Sequence, residues 1–135
     1  MSQQKGLVGR VYFHAAVPQS ALLELTAAAD AGVIPYLATC LNNHYCTPNK
    51  LFEFIAAGLP ILATDLPEIR KMVQEQNIGL VGDTGSPKKL AALIDDFFSD
   101  EQRFATWKTR VSAVRQLICW EQEEKKLVEI YEALR

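Results

Sequence analysis

Short β-branched and aliphatic runs alternate along this chain with longer stretches whose apolar residues recur every three or four positions. That alternation restricts the fold more than any other feature. Val11-Tyr12-Phe13 reads as a first strand, ended by Pro18 in a loop. Ser20 is placed to cap a helix over residues 21–29, in which Leu22, Leu25 and Ala29 share a face. Residues 31–36 (AGVIPY) make a second strand, apolar on both faces as buried parallel strands are. After a polar stretch at 40–47, residues 50–57 are helical and stop at Gly58, a residue suited to the left-handed turn that ends helices. A third strand covers 60–64 (PILAT), a helix 67–76, and a fourth strand 78–81 runs into a Gly-Asp-Thr-Gly turn. From Ser86-Pro87 the chain is helical to its end, with stripes at Leu90, Leu93, Ile94 and Phe97, then Val111, Val114 and Leu117, then Leu127, Ile130, Tyr131 and Leu134.

Strand–helix alternation with short connections predicts an α/β fold. The expected architecture is a parallel sheet of about four strands, right-handed crossovers, helices on both faces and a long helical C-terminus. Such sheets bind ligands at the carboxyl ends of their strands. The loops at 15–19, 37–49, 65–67 and 83–87 are therefore the ones to inspect, and only the second is long.

Composition narrows the function classes. The 135 residues include 14 basic and 16 acidic side chains for a net charge of −2, which excludes a strongly basic nucleic-acid binder. Hydrophobic residues make up 49%, enough for a core and too many for a disordered chain. The longest apolar run, 54–64, contains Gly58 and Pro60 and is too short for a membrane span. No basic segment followed by an apolar stretch opens the chain, so secretion is not expected. Cys40, Cys46 and Cys119 are an odd number with no C-x-x-C pair, which points to a reducing cytoplasm rather than a disulfide scaffold.

The stretch 47–58 (TPNKLFEFIAAG) carries the most chemistry. Thr47 is placed as a helix cap and Pro48 as the first helical residue, leaving the next N–H groups free to face a crevice. A helix start carries about half a positive charge and attracts phosphate, and Lys50 adds a full charge. Glu53 is the only charged residue between Leu51 and Thr64, so its carboxylate is expected to be buried and in need of donors. Ribose hydroxyls of a bound nucleotide would serve; a nearby Lys or backbone N–H would serve equally.

Other clusters are less specific. Cys40-x3-His44-x-Cys46, with His14, matches no common zinc spacing, and no metal is expected. Cys46 lacks a well-placed base, because His44 stands only two residues away. Gly79, Gly82 and Gly85 follow the fourth strand rather than the first and read as turn residues, not a dinucleotide fingerprint. Trp107 and Trp120 read as core or domain-packing anchors.

The run PNKLFEFIAAGLPILATD, with ADAGVIPY before it and IGLVGD after it, resembles the C-terminal domain of group 1 (family 4) glycosyltransferases. The H-x-x-V-P stretch at His14 to Pro18, the Ala29-Asp30 pair and Trp120-Glu121 extend the resemblance over nearly the whole chain. It implies one Rossmann-like domain of a two-domain, retaining GT-B enzyme that moves a sugar from a nucleotide-sugar donor to an acceptor. On this resemblance Glu53 matches the second Glu of the family's E-x7-E motif and hydrogen-bonds the donor ribose. Leu51 and its neighbours offer backbone amides to the phosphates, Asn49 and Lys50 lie where the diphosphate passes, and Val17 packs beside the base. Glu68 lies near the same crevice. The implied donor is UDP-, GDP- or ADP-linked, with no cofactor.

Two departures from the family pattern bear on function. Tyr45 stands where the first motif Glu would be, a position that touches the donor sugar, and Cys46 and Pro48 replace the glycines after it. A subgroup with P-N-K-L-F-E in this place exists. The chain also begins after the family's N-terminal acceptor domain and after the opening strand and helix of the C-terminal domain, which carry the Arg and Lys that neutralise the leaving diphosphate. Residues 1–135 are thus expected to be a partial C-terminal domain, inactive alone and needing the missing domain or a partner chain, with no catalytic residue of its own assigned. The competing expectation is a non-catalytic interaction domain that keeps the fold. A receiver-like signalling domain fits less well, because no acidic cluster follows the first strand.

Overall fold

The computed structural model describes residues 6–134. In chain order its elements are α1 (Gln19–Ala27), β1 (Gly32–Ile34), α2 (Leu41–Tyr45), α3 (Asn49–Ala57), β2 (Ile61–Thr64), α4 (Pro67–Glu75), β3 (Gly79–Gly82), α5 (Pro87–Phe98), α6 (Glu101–Leu117) and α7 (Trp120–Glu132). The strands form one parallel sheet in the order β1-β2-β3. Ile34 lies beside Ala63, and Ala63 beside Val81.

Alternate residues of β2 point to opposite faces and divide the core in two. Ile61 and Ala63 join Ile34, Leu51 and Ile55 of α3, Ile69 and Val73 of α4, and Val111 and Val114 of α6. Leu62 faces the other way, onto Phe97 and Trp107 with Leu80, Leu90, Leu93 and Phe104 around them. Phe97 stacks on Trp107 with ring centroids 5.0 Å apart. Helices therefore cover both faces, as the alternation predicts.

Helix boundaries follow local chemistry. Ser86 caps α5 by accepting from the Lys89 N–H at 3.3 Å, with Pro87 as its first residue. Asp100 caps α6 through two backbone N–H groups, those of Gln102 and Arg103 at 2.9 Å. Gly58 ends α3 in the left-handed region at φ 74°, and the Leu59 N–H reaches back to the Phe54 carbonyl at 2.9 Å. Gly79 serves a different need: a Cβ there would lie 1.8 Å from the Ile61 carbonyl oxygen, so only glycine lets β3 approach β2.

Several expectations are corrected. The sheet has three strands among the described residues, because Val11, Tyr12 and Phe13 are exposed and belong to no strand. A β-rich run becomes a strand only where a neighbour takes its backbone groups. Val33 is 40% exposed because β1 is an edge strand. Ser20 lies inside α1, which follows Pro18, and no α1 residue is fully buried. Thr47 does not cap α3; Pro48 holds that position with no side-chain hydrogen bond. The long polar loop contains the short helix α2. Gly79 and Gly82 belong to β3 rather than to a turn. Trp107 is buried as expected, whereas Leu117 and Trp120 are exposed, as is the whole α7 stripe.

Candidate functional site

α1 packs along α3 and places Glu53 at their seam. The Glu53 carboxylate is half-buried rather than sealed, and lines a hollow of about 200 Å³ with Gln19, Leu22, Leu23, Thr26 and Ala56. Among the described residues no ion pair and no side-chain hydrogen bond reaches it. Neither a Lys nor a backbone N–H answers it, so a carboxylate with free acceptor sites faces an open hollow between two helices.

The other expected site residues are placed unequally around it. Asn49 and Lys50 are exposed in the first turn of α3, and Lys50 has no acidic partner among the described residues. Leu51 is fully buried in the core, with its N–H given to the Pro48 carbonyl at 2.9 Å. Val17 is half-buried two residues before α1, where it lines a separate hollow with His14, Ala21, Glu24 and Leu25. Tyr45 ends α2, 59% exposed, edge-on to His44 at 4.5 Å. Glu68 sits near the start of α4 in a small hollow of about 140 Å³ that also touches Thr47. α3 thus carries Asn49, Lys50 and Glu53, whereas Val17 lines a separate hollow ahead of α1 and Tyr45 ends α2. Among the described residues no three His, Cys, Asp or Glu side chains come together as metal ligands, and the three cysteines are free.

A second feature occupies the carboxyl end of the sheet. A hollow of about 400 Å³ is walled by Tyr36 after β1, Thr64 and Asp65 at the end of β2, Gly82 at the end of β3, and Asp83 and Gly85 after it. Beside it, the Thr64 hydroxyl donates to the Ile34 carbonyl at 3.3 Å, and its oxygen lies 2.5 Å from the Thr84 hydroxyl. Asp65 is paired with Arg70. Asp83 accepts from Lys89 Nζ at 2.5 Å and from the Gly85 N–H at 2.8 Å. Those bonds, the Lys89 one first, hold the Asp83 carboxyl below the usual aspartate range. The Asp65 hydrogen bond and charge raise Arg70 above its ordinary value.

Residues 1–100 match the family model of the group 1 glycosyl transferases, about three-quarters of the chain and all of its sheet. The chain belongs to that family. It is also similar to the putative teichuronic acid biosynthesis glycosyltransferase TuaH of Bacillus subtilis (strain 168), at 46% identity over 43 residues. That segment is 32% of this chain and spans 11% of the relative's length. Among the described residues of this glycosyltransferase-family chain, no helix is long and apolar enough to cross a membrane.

Sequence reasoning singled out the loops after the three strands but assigned no ligand role to Thr64, Asp65, Asp83 or Thr84. The Asp83-Thr84-Gly85-Ser86-Pro87 segment reads as a turn and a helix cap, which it is. That Thr84 also reaches Thr64 depends on the β2–β3 register, which no local pattern specifies.

Proposed function

We propose that this chain supplies the donor-binding part of a retaining, GT-B glycosyltransferase. The single observation that carries the reading is the Glu53 carboxylate, half-buried at the α1–α3 seam with no protein partner among the described residues, one helical turn after the cation of Lys50. A carboxylate with free acceptor sites suits the two hydroxyls of a ribose. Lys50 and the start of α3 suit the diphosphate attached to that ribose.

In sugar transfer the bond between the anomeric carbon and the diphosphate oxygen breaks. An acceptor hydroxyl bonds to that carbon and loses its proton, and the nucleoside diphosphate leaves with the electron pair. Catalysis of this kind rests on positioning and on stabilising the departing charge. Lys50 and Asn49 would contribute to that stabilisation, and Glu53 would fix the nucleotide. The acceptor site and the remaining cations would come from a further domain or partner chain, so residues 1–135 alone would bind the donor without turning it over. Three free thiols fit a reducing compartment such as the cytoplasm.

A thermal-shift titration with UDP, GDP and ADP tests this. One nucleotide is expected to raise the melting temperature saturably, by several degrees at about 100 times its dissociation constant. Glu53→Ala should abolish the rise and Glu53→Gln should retain part of it. No rise with any nucleotide, or an undiminished rise in Glu53→Ala, overturns the assignment.

A further inference from the structure

Two of the three free cysteines bracket the short helix α2. Cys40 is the residue just before it and is exposed; Cys46 is the residue just after it and is partly buried. Both take part in the backbone bonds that close the helix. The His44 N–H donates to the Cys40 carbonyl at 3.0 Å, and the Cys46 N–H to the Asn42 carbonyl at 2.8 Å. At about 1.5 Å of rise per residue, α2 holds the two Cα atoms roughly 9 Å apart, beyond the ~7 Å that a disulfide can span. A bond between them therefore requires α2 to unwind, and little opposes that. No side chain of α2 is fully buried. Its remaining ties are weak or exposed: the Asn43 amide donates to the Thr39 hydroxyl at 2.9 Å and to the Leu37 carbonyl at 3.4 Å, and the Cys46 thiol donates to the Asn43 carbonyl at 3.6 Å. A segment with exposed hydrogen bonds and no buried side chain opens at low free-energy cost. Once it is open, the loop between the two thiols is short and closes readily.

We propose that Cys40 and Cys46 form a reversible disulfide that holds α2 unwound and weakens nucleotide binding at the start of α3. The oxidant is a small disulfide such as oxidised glutathione. The Cys40 thiolate, on the exposed side, attacks one of its sulfurs and expels the first small thiolate. The Cys46 thiolate then attacks the Cys40 sulfur of the mixed disulfide and expels the second. The protein gives up two electrons and two protons, and the small disulfide takes them up as two thiols. The effect reaches α3 because Thr47 and Pro48 alone separate Cys46 from Asn49, and the Pro48 carbonyl accepts the Leu51 N–H of the first turn at 2.9 Å. Leu51 and Ile55 anchor α3 in the core, so the fold survives while the turn that carries Asn49 and Lys50 shifts. In a reducing compartment such a bond is transient and registers an oxidising change. The disulfide stands by itself; its effect on binding rests on the donor reading.

Treatment of the whole chain with millimolar oxidised glutathione, followed by tryptic mass spectrometry, tests this. Cleavage after Arg10 and Lys50 leaves both cysteines in one peptide, 11–50, and Cys119 in another. Peptide 11–50 is expected to lose two hydrogens, to regain them in dithiothreitol, and to lose none in Cys40→Ser or Cys46→Ser. The dithiothreitol reversal needs no variant, so the test survives if a serine variant fails to fold. In the oxidised chain the His44 and Cys46 amide hydrogens should exchange about tenfold faster or more, while circular dichroism melts show the fold retained. Affinity for whichever of UDP, GDP and ADP binds the reduced chain should fall about fivefold or more and recover on reduction, and that nucleotide should in turn disfavour oxidation by the same factor. No bond within peptide 11–50, glutathione that stays on Cys40 without closure, or closure that leaves the α2 amides protected each overturns the proposal. So does an oxidised chain that binds nucleotide as tightly as the reduced one. A reduced chain that gives no thermal shift with any nucleotide sinks the donor reading instead, while peptide mass and amide exchange still decide whether the disulfide forms and opens α2.

Discussion

The hydroxyl oxygens of Thr64 and Thr84 lie 2.5 Å apart, and together they tie three strand ends into one hydrogen-bonded chain. Thr64 gives its single hydroxyl proton to the Ile34 carbonyl, so the proton between the two threonines belongs to Thr84. Thr84 is only 7% exposed, and its hydroxyl has little access to water as an alternative. Thr84→Val should therefore cost about 1–2 kcal/mol in urea unfolding. Combined with Thr64→Val, the loss should fall short of the sum of the single variants by about 0.5 kcal/mol or more. Strict additivity would mean that the two hydroxyls do not interact.

Gly79→Ala should be among the most damaging single changes. The added methyl meets backbone, the Ile61 carbonyl oxygen, which has no rotamer by which to yield. Overpacking costs about 1–3 kcal/mol, and more where main chain is the obstacle, so a fall of about 5–10 °C in melting temperature is expected. Gly85→Ala meets only the Asp83 carboxylate at 3.0 Å, the end of an exposed side chain, and should melt much closer to the wild type.

The Asp83–Lys89 pair makes part of the acid stability depend on this carboxyl. Its ionisation is held below the ordinary aspartate value of 3.8 in the folded protein, so folding favours the charged form. The resulting stabilisation is full above that ordinary value and disappears as pH falls through the lower folded value. Unfolding midpoints measured from about pH 6 to 2 should decline less steeply in Asp83→Asn than in the wild type. Because the pair is exposed, the difference should shrink in 1 M salt.

Trp107 and Trp120 are both tryptophans at helical positions, yet burial separates them. Trp107 is 4% exposed and stacked on Phe97, with the Arg103 guanidinium 5.1 Å from the ring centre. Trp107→Ala should cost about 3–5 kcal/mol. Trp120 is 65% exposed, and Trp120→Ala should stay within about 0.5 kcal/mol of the wild type in the same denaturant series.

Lys50 should show itself through salt. If it meets the diphosphate, Lys50→Ala weakens nucleoside diphosphate binding by roughly tenfold at low ionic strength and by less at 0.5 M, because the lost attraction is already screened there. A salt-independent loss would assign Lys50 a packing role instead.

Much of this architecture is legible in the residues themselves. Ile61, Leu62 and Ala63 form an unbroken apolar run because β2 is central and buried on both faces. Gly58 and Ser86-Pro87 announce helix ends and starts through backbone geometry that few other residues satisfy. Val11-Tyr12-Phe13 misleads because β propensity describes what fits a pleated surface, not whether a neighbouring strand is present. Thr47 misleads for a smaller reason: with Pro48 as the boundary residue, α3 begins one position later and the threonine side chain is carried past its N–H targets. At the site, Glu53 stands out as a lone charge in an apolar helix. The strand-end hollow does not stand out, since Thr64 and Asp83 are brought together only by strand register, 19 residues apart in the chain.

α6 serves both halves of the core from its middle turns: Trp107 sits among the residues beneath Leu62, while Val111 and Val114 lie with Ile61 and Ala63 in the other cluster. Neither half can lose its packing without pulling on the same 17-residue helix. Amide hydrogens of β2 should consequently exchange at one common rate whichever way they face, and melt with those of α6 in a single step. The carboxyl edge that carries Thr64 and Asp65 is thereby held on a platform that yields all together or not at all.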